Sequence, residues 1–151
     1  MADDAIATIQ ATVLPDEIAK TISATTTVTP ADSGDKWYYK LTSVSNASTD
    51  LIAGAFLDYT AVDDDTAPTA VATGDKIKFL FIKNVDGNSR SIYVTLDGTT
   101  ATSSVAGAVI IGPNESFVGR LATDTTVANV NAISSASTAE VIVAALLDDV
   151  A

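Results

Sequence analysis

The chain has 151 residues and a formal net charge of −11, with neither cysteine nor histidine; this length fits one domain that buries about 68–70% of its unfolded surface without a metal or a disulfide. Absent Cys removes disulfides, thiolate nucleophiles and thiolate metal sites, and absent His removes the commonest general base and the commonest metal ligand. The eight basic residues are scattered, which disfavours nucleic acid and anionic membranes as partners and leaves solubility, or docking onto a basic surface, as the use of the acidity.

Residues 1–14 alternate loosely, and their start, MADDAIATIQ, is acidic. It lacks the basic region and apolar core of a secretion signal. "PDEIAK", 15–20, predicts one short helix, with Pro15 at its first position and Asp16 and Glu17 at the positive end of its dipole. In "TISATTTVT", 21–29, Ile22, Ala24, Thr26 and Val28 share one face opposite Thr21, Ser23, Thr25, Thr27 and Thr29. That period of two predicts a half-buried strand. "PADSGD", 30–35, reads as a turn. Residues 1–35 are expected to form an N-terminal arm or extension that joins the sheet or leaves it, ahead of a β domain over 36–151.

That domain opens with "KWYYKLTSV", 36–44, a strand expected to place Trp37, Tyr39 and Leu41 on its core side and Tyr38 outside. Residues 51–60 hold another candidate strand, and "VDDDTAPTAVATGD", 62–75, is a long polar connection. In "IKFLFIKNVDGNSRSIYVTLDG", Ile77, Phe79 and Phe81 are expected on one face, with Leu80 and Ile82 on the other. "NVDGNSR" reads as a hairpin connection whose Asp86-Gly87 supplies positive φ, and Asp97-Gly98 repeats the device. Ile92, Val94 and Leu96 share a face. Four further strands are predicted at 108–111, 115–121, 126–133 and 139–147, broken by "GPNE" and "SSAS". The last is apolar on both faces, as a strand central in its sheet, or one covered by another subunit, would be.

Composition agrees with an all-β chain. Asp occurs 16 times against three Glu, and Thr occurs 21 times; Asp favours turns, and β-branched Thr fits an exposed strand face. The spacing of the strands, with no repeat of solenoid type, predicts a β-sandwich or jelly roll of about eight or nine antiparallel strands with at most one short helix.

Candidate chemistry is thin. Asn84, Asp86 and Asn88 alternate as in the first half of a calcium loop, but Ser89 and Thr95 stand where the loop needs Gly and a bidentate Glu. Asp63, Asp64 and Asp65 could meet a hard cation or simply face solvent. Glu17, Glu115 and Glu140 are the material for a two-carboxylate glycosidase, yet nothing in the sequence sets a pair across a cleft. Trp37, Tyr38 and Tyr39 offer either a sugar-stacking platform or core packing. Asn46-Ala-Ser48 and Asn114-Glu-Ser116 match the glycosylation sequon. There is no nucleophile elbow and no phosphate loop. No catalytic, metal or cofactor residue and no enzyme activity is expected of this sequence.

"KFLFIKNVDGNSRSIYVTLDG", "AVIIGPNESFVGRL" and "STAEVIVAALLDD" together resemble small tailed-phage virion proteins, and most closely the capsid decoration, or cement, proteins. The resemblance covers about residues 76–148 and implies a jelly roll or β-sandwich on the outside of an icosahedral shell. It implies a homo-oligomer, with a trimer favoured, whose partner is the major capsid protein and whose place is the virion exterior after assembly in the host cytoplasm. Bridging several subunits would stabilise the shell through multivalency and preferential binding to the assembled state. The alternative is a tail or fibre module that grips host glycans.

Overall fold

A computed structural model describes residues 4–13, 20–31, 34–55, 70–87 and 89–148. The chain divides into two compact units, Met1–Asp32 and Ser33–Ala151. Among the described residues all regular structure is β, apart from one turn of 3₁₀ helix at Val127–Asn129. The helix expected at 15–20 lies outside the described residues except for Lys20, which opens a strand.

The first unit is a two-stranded ribbon. β1 (Ala5–Val13) pairs antiparallel with β2 (Lys20–Val28) in unbroken register from Ala5 opposite Val28 to Val13 opposite Lys20. Strand alternation gathers Ala5, Ala7, Ile9, Ala11 and Val13 with Val28, Thr26, Ala24 and Ile22 on one face, which ends at Lys20 opposite Val13. The other face is Thr-rich, with hydroxyl pairs Thr8–Thr25 and Thr12–Thr21 at 3.4 and 3.5 Å. The strand expected at 21–29 is present, but it is not half-buried along its length. Val28 is buried and Thr26 partly covered, whereas Ile22 is 61% exposed, because a two-stranded ribbon has no second layer of its own to cover an apolar face.

The second unit contains β3 (Asp35–Val44), β4 (Thr49–Asp50), β5 (Lys76–Asn84), β6 (Ile92–Thr95), β7 (Val109–Ile111), β8 (Ser116–Gly119), β9 (Asn131–Ser134) and β10 (Ala139–Asp148). They form two antiparallel four-stranded sheets, β3-β10-β5-β8 and β4-β9-β6-β7. The pairing is nested: β6 with β7, β5 with β8, β4 with β9, β3 with β10. The pairs β10–β5 and β9–β6 complete the sheets. This is a jelly-roll order, in which every connection between consecutive described strands, save β6–β7, passes from one sheet to the other.

The nesting corrects the expected hairpin around Asp86-Gly87. β5 and β6 lie in different sheets, so "NVDGNSR" is a crossover. Positive φ falls at Ser89 (66°), not at Gly87. The crossover is held by Asn84, which is fully buried. Its Nδ2 donates to the carbonyls of Arg90 (2.7 Å) and Ile111 (3.2 Å), and its Oδ1 accepts the Asp86 N–H (3.0 Å). Gly98 does take the left-handed conformation, with φ 82°. The expected strand at 126–133 is also shorter. Asn129 Oδ1 accepts the Thr126 N–H and hydroxyl, which winds 127–129 into the 3₁₀ turn and delays β9 to Asn131.

The faces of β3 are reversed, and in β5 the expected split of Phe79 and Phe81 from Leu80 and Ile82 is present but Ile77 changes side. In β3, Tyr38 is buried while Tyr39 and Leu41 are 55% and 56% exposed. Tyr38 is anchored by Ala53, whose carbonyl accepts its hydroxyl at 3.1 Å and whose N–H donates to it at 3.3 Å. In β5, Ile77, Leu80 and Ile82 enter the core and Phe79 and Phe81 face outward. A register irregularity opposite Leu146 and Leu147 leaves Lys78 unpaired; such a bulge shifts the phase of alternation by one residue. The core lies between the sheets. Tyr38, Val44, Leu80, Ile82, Val141, Val143, Ala145 and Leu147 come from one side and Ile92, Val94, Ile111 and Ala132 from the other, with Leu51, Ile52, Val127 and Val130 from the connections.

Candidate interaction surface

An antiparallel sheet with one face on the core ordinarily turns a polar face to water. The β3-β10-β5-β8 sheet does not. Its outward face carries Trp37, Tyr39 and Leu41 on β3, Ile142, Ala144 and Leu146 on β10, Phe79 and Phe81 on β5, and Val118 on β8, as the registers require. Leu146 is fully buried on this outer side and Phe79 nearly so. The ring of Trp37 meets that of Phe79 edge to face, with 6.5 Å between centroids. Both residues are the cross-strand partners of Leu146, so the two rings flank it.

Charges frame this apolar centre. At one end Ser43 donates its hydroxyl to Glu140, beside the exposed Lys83. At the other, bulged Lys78 lies between Asp35 and Asp148. The hydrogen bond to Asp35, with help from Asp148, holds the Lys78 ammonium above the ordinary lysine range against the opposing effect of burial. Counting Lys76, the face carries three basic and three acidic side chains in a chain of net −11.

The described candidates for chemistry are used locally. Asn84 is the crossover lock described above, and Asp86 pairs with Arg90 at 2.9 Å; Asn88 lies outside the described residues. Glu115 closes the "GPNE" turn. Its Oε2 accepts the Gly112 N–H at 2.7 Å and its own N–H donates to the Gly112 carbonyl, with Asn114 at φ 62°, the geometry of a type II turn led by Pro113. Glu140 is held by Ser43. Glu17 and Asp63, Asp64 and Asp65 lie outside the described residues, as does most of the 62–75 connection. Among the described residues, no three His, Cys, Asp or Glu side chains are grouped to hold a metal ion, and no helix is long and apolar enough to cross a membrane.

The aromatic trio splits between core and surface. Tyr38 is internal, and Tyr39 with part of Trp37 faces outward, so a stacking platform, if used, is made of Trp37 and Tyr39. The sequence signal for the outer face was present in the two-sided apolarity of β5 and β10, but the bulge at Lys78 concealed which residues belong to it. A comparison with protein-family models gives no match, and neither does a comparison with curated proteins.

Proposed function

We propose that this chain is a structural virion protein that decorates and stabilises an icosahedral phage capsid by bridging major capsid protein subunits. The observation that supports it best is the outward face of the β3-β10-β5-β8 sheet. A sandwich already has its core, so a second apolar sheet face framed by balanced charges suits contact with another protein surface. Among the described candidates, Asn84, Asp86 and Glu115 are tied into turns and crossovers, and the jelly roll itself is compatible with many functions.

The test is made on purified virions whose genome encodes the chain. The protein should copurify in fixed copy number relative to the shell subunit, and adding it to stripped shells should raise their melting temperature. Leu41→Asp, on the exposed part of the face, should abolish both effects while leaving the fold intact. Absence from particles, with no binding to shells, would refute the reading.

The exposure of Tyr39 beside Trp37 favours a second reading, a fibre-type module that stacks on host glycans. Tyr39→Ala would then lose binding on a glycan array at unchanged stability, whereas a decoration protein binds no glycan before or after the substitution.

A further inference from the structure

The β1–β2 ribbon joins three properties. Part of its apolar face is open, with Ile9, Val13 and Ile22 at 48%, 43% and 61% exposure. β1 carries no charge at all, and β2 only Lys20 at its start, within a chain of net charge −11. Neither strand pairs with a third among the described residues, so each has an open edge of nine residues. Natural proteins protect such edges with charge, Pro or a bulge, and the described strands of this ribbon have no Pro and no register break.

The sequence of the edge says what fits it. β1 contains Thr8-Ile9-Gln10-Ala11-Thr12 and β2 contains Thr21-Ile22-Ser23-Ala24-Thr25. Within the ribbon these two pentads pair antiparallel, Thr opposite Thr, Ile opposite Ala, Gln10 opposite Ser23. The same Thr–Thr and Ile–Ala pairs, now around a central Gln10–Gln10 pair, arise when β1 meets a second β1 about a two-fold axis through Gln10. Thr8 then faces Thr12 of the second copy, Ile9 faces Ala11, and the match extends to Ala7 facing Val13. Polar residues stay with polar and apolar with apolar over seven residues, which a two-fold contact requires. The equivalent contact through β2 would set Lys20 against Thr26.

We infer that two copies of this chain join edge to edge through β1, antiparallel about Gln10, to form a continuous four-stranded sheet β2-β1-β1-β2 with one shared apolar face. The uncharged edge is where two strongly acidic molecules meet with least repulsion. A basic partner would find no acidic side chain on β1 to pair with. The axis is two-fold, in contrast to the trimer that the decoration-protein resemblance implies. The inference does not rest on attachment to a shell, so each can fail without the other.

The absence of native cysteine provides the test. In the full chain, Gln10→Cys should form a disulfide-linked dimer under mild oxidation, because residues opposite across the axis lie within bridging range. Ser23→Cys, on the other strand of the same ribbon, should form at least tenfold less. Thr8→Cys and Thr12→Cys should cross-link when mixed much more than either does alone. Sedimentation of the unmodified protein should show a dimer, converted to monomer by Ile9→Asp with the circular dichroism of the sandwich unchanged. A monomer at all concentrations, or Ser23→Cys cross-linking as readily as Gln10→Cys, would overturn the inference. A monomer that nevertheless binds shells would overturn it while sparing the proposed function.

Discussion

Trp37 and Phe79 stand on strands that do not pair with one another, yet their rings meet edge to face at an interplanar angle of 78°. β10 runs between them, and Leu146 faces Trp37 on one side and Phe79 on the other. The contact therefore ties three strands together on the side of the sheet away from the core. Trp37→Ala should uncover Leu146 and cost about 2–3 kcal/mol, less than the roughly 3–5 kcal/mol of a fully buried aromatic, because Trp37 is itself partly exposed. A double-mutant cycle with Phe79→Ala in urea unfolding should give a coupling of about 0.5–1.5 kcal/mol. Additive effects would show that the rings do not act as a pair.

Asn84 ties both ends of the β5–β6 crossover to β7. It donates to Arg90 and Ile111 carbonyls and accepts from the Asp86 N–H. Asn84→Asp replaces the donor with an oxygen aimed at two carbonyls in a fully buried position. The expected loss is roughly 3–5 kcal/mol at neutral pH, as for an uncompensated buried charge. It should be smaller in mild acid, where the new carboxyl can protonate and regain a donor. A variant as stable as the parent in thermal unfolding would mean that the crossover is held by its other contacts.

Much of the architecture was legible in period-two alternation and turn residues, and the losses have local causes. The strands at 36–44, 77–84 and 139–147 stand out because their β-branched and aromatic residues run between Gly, Pro and Asp breaks. The hairpin reading of Asp86-Gly87 failed because turn chemistry reports a change of direction and not which sheet the next strand joins. The inside and outside of β3 could not be told apart, since Trp37, Tyr38 and Tyr39 are all aromatic and either phase of alternation buries a ring. In β5 the bulge at Lys78 broke the alternation, so Ile77 and Phe79, two apart, lie on opposite faces. The pairing preference of β1 was hidden for a different reason. Its pentad resembles that of β2 only in type and order, and its meaning depends on which edge is left open.

Lys78 supplies a pH dependence with a definite sign. Its pKa is raised in the folded chain by the hydrogen bond to Asp35 and by Asp148. A raised lysine stabilises the fold fully below the unfolded value of about 10.4 and loses that contribution as the pH climbs through the higher folded value. The stability difference between the parent and Lys78→Met should therefore be constant from neutral pH to the onset of lysine titration, then shrink in strong alkali. Urea midpoints measured along that range read it directly. A difference that stays flat into strong alkali would show that packing of the lysine stem, and not its charge, is what the variant loses.

Asp97 gives the opposite sign. It sits in the turn after β6, where its Oδ1 accepts the Thr99 hydroxyl at 2.6 Å and the Thr99 N–H at 3.0 Å. These bonds, the hydroxyl foremost, hold its carboxyl below the ordinary value of 3.8. A depressed carboxylate contributes stability that is present above the unfolded value and lost as the pH falls through the folded one. Thr99→Val removes the stronger donor and leaves the N–H in place. In a carboxyl NMR titration the Asp97 resonance should move up towards the ordinary value in the variant. The stability gap between parent and variant should be present near neutral pH and fade in acid below the ordinary carboxylate range. An Asp97 titration that does not move in Thr99→Val would assign the depression to the turn backbone instead.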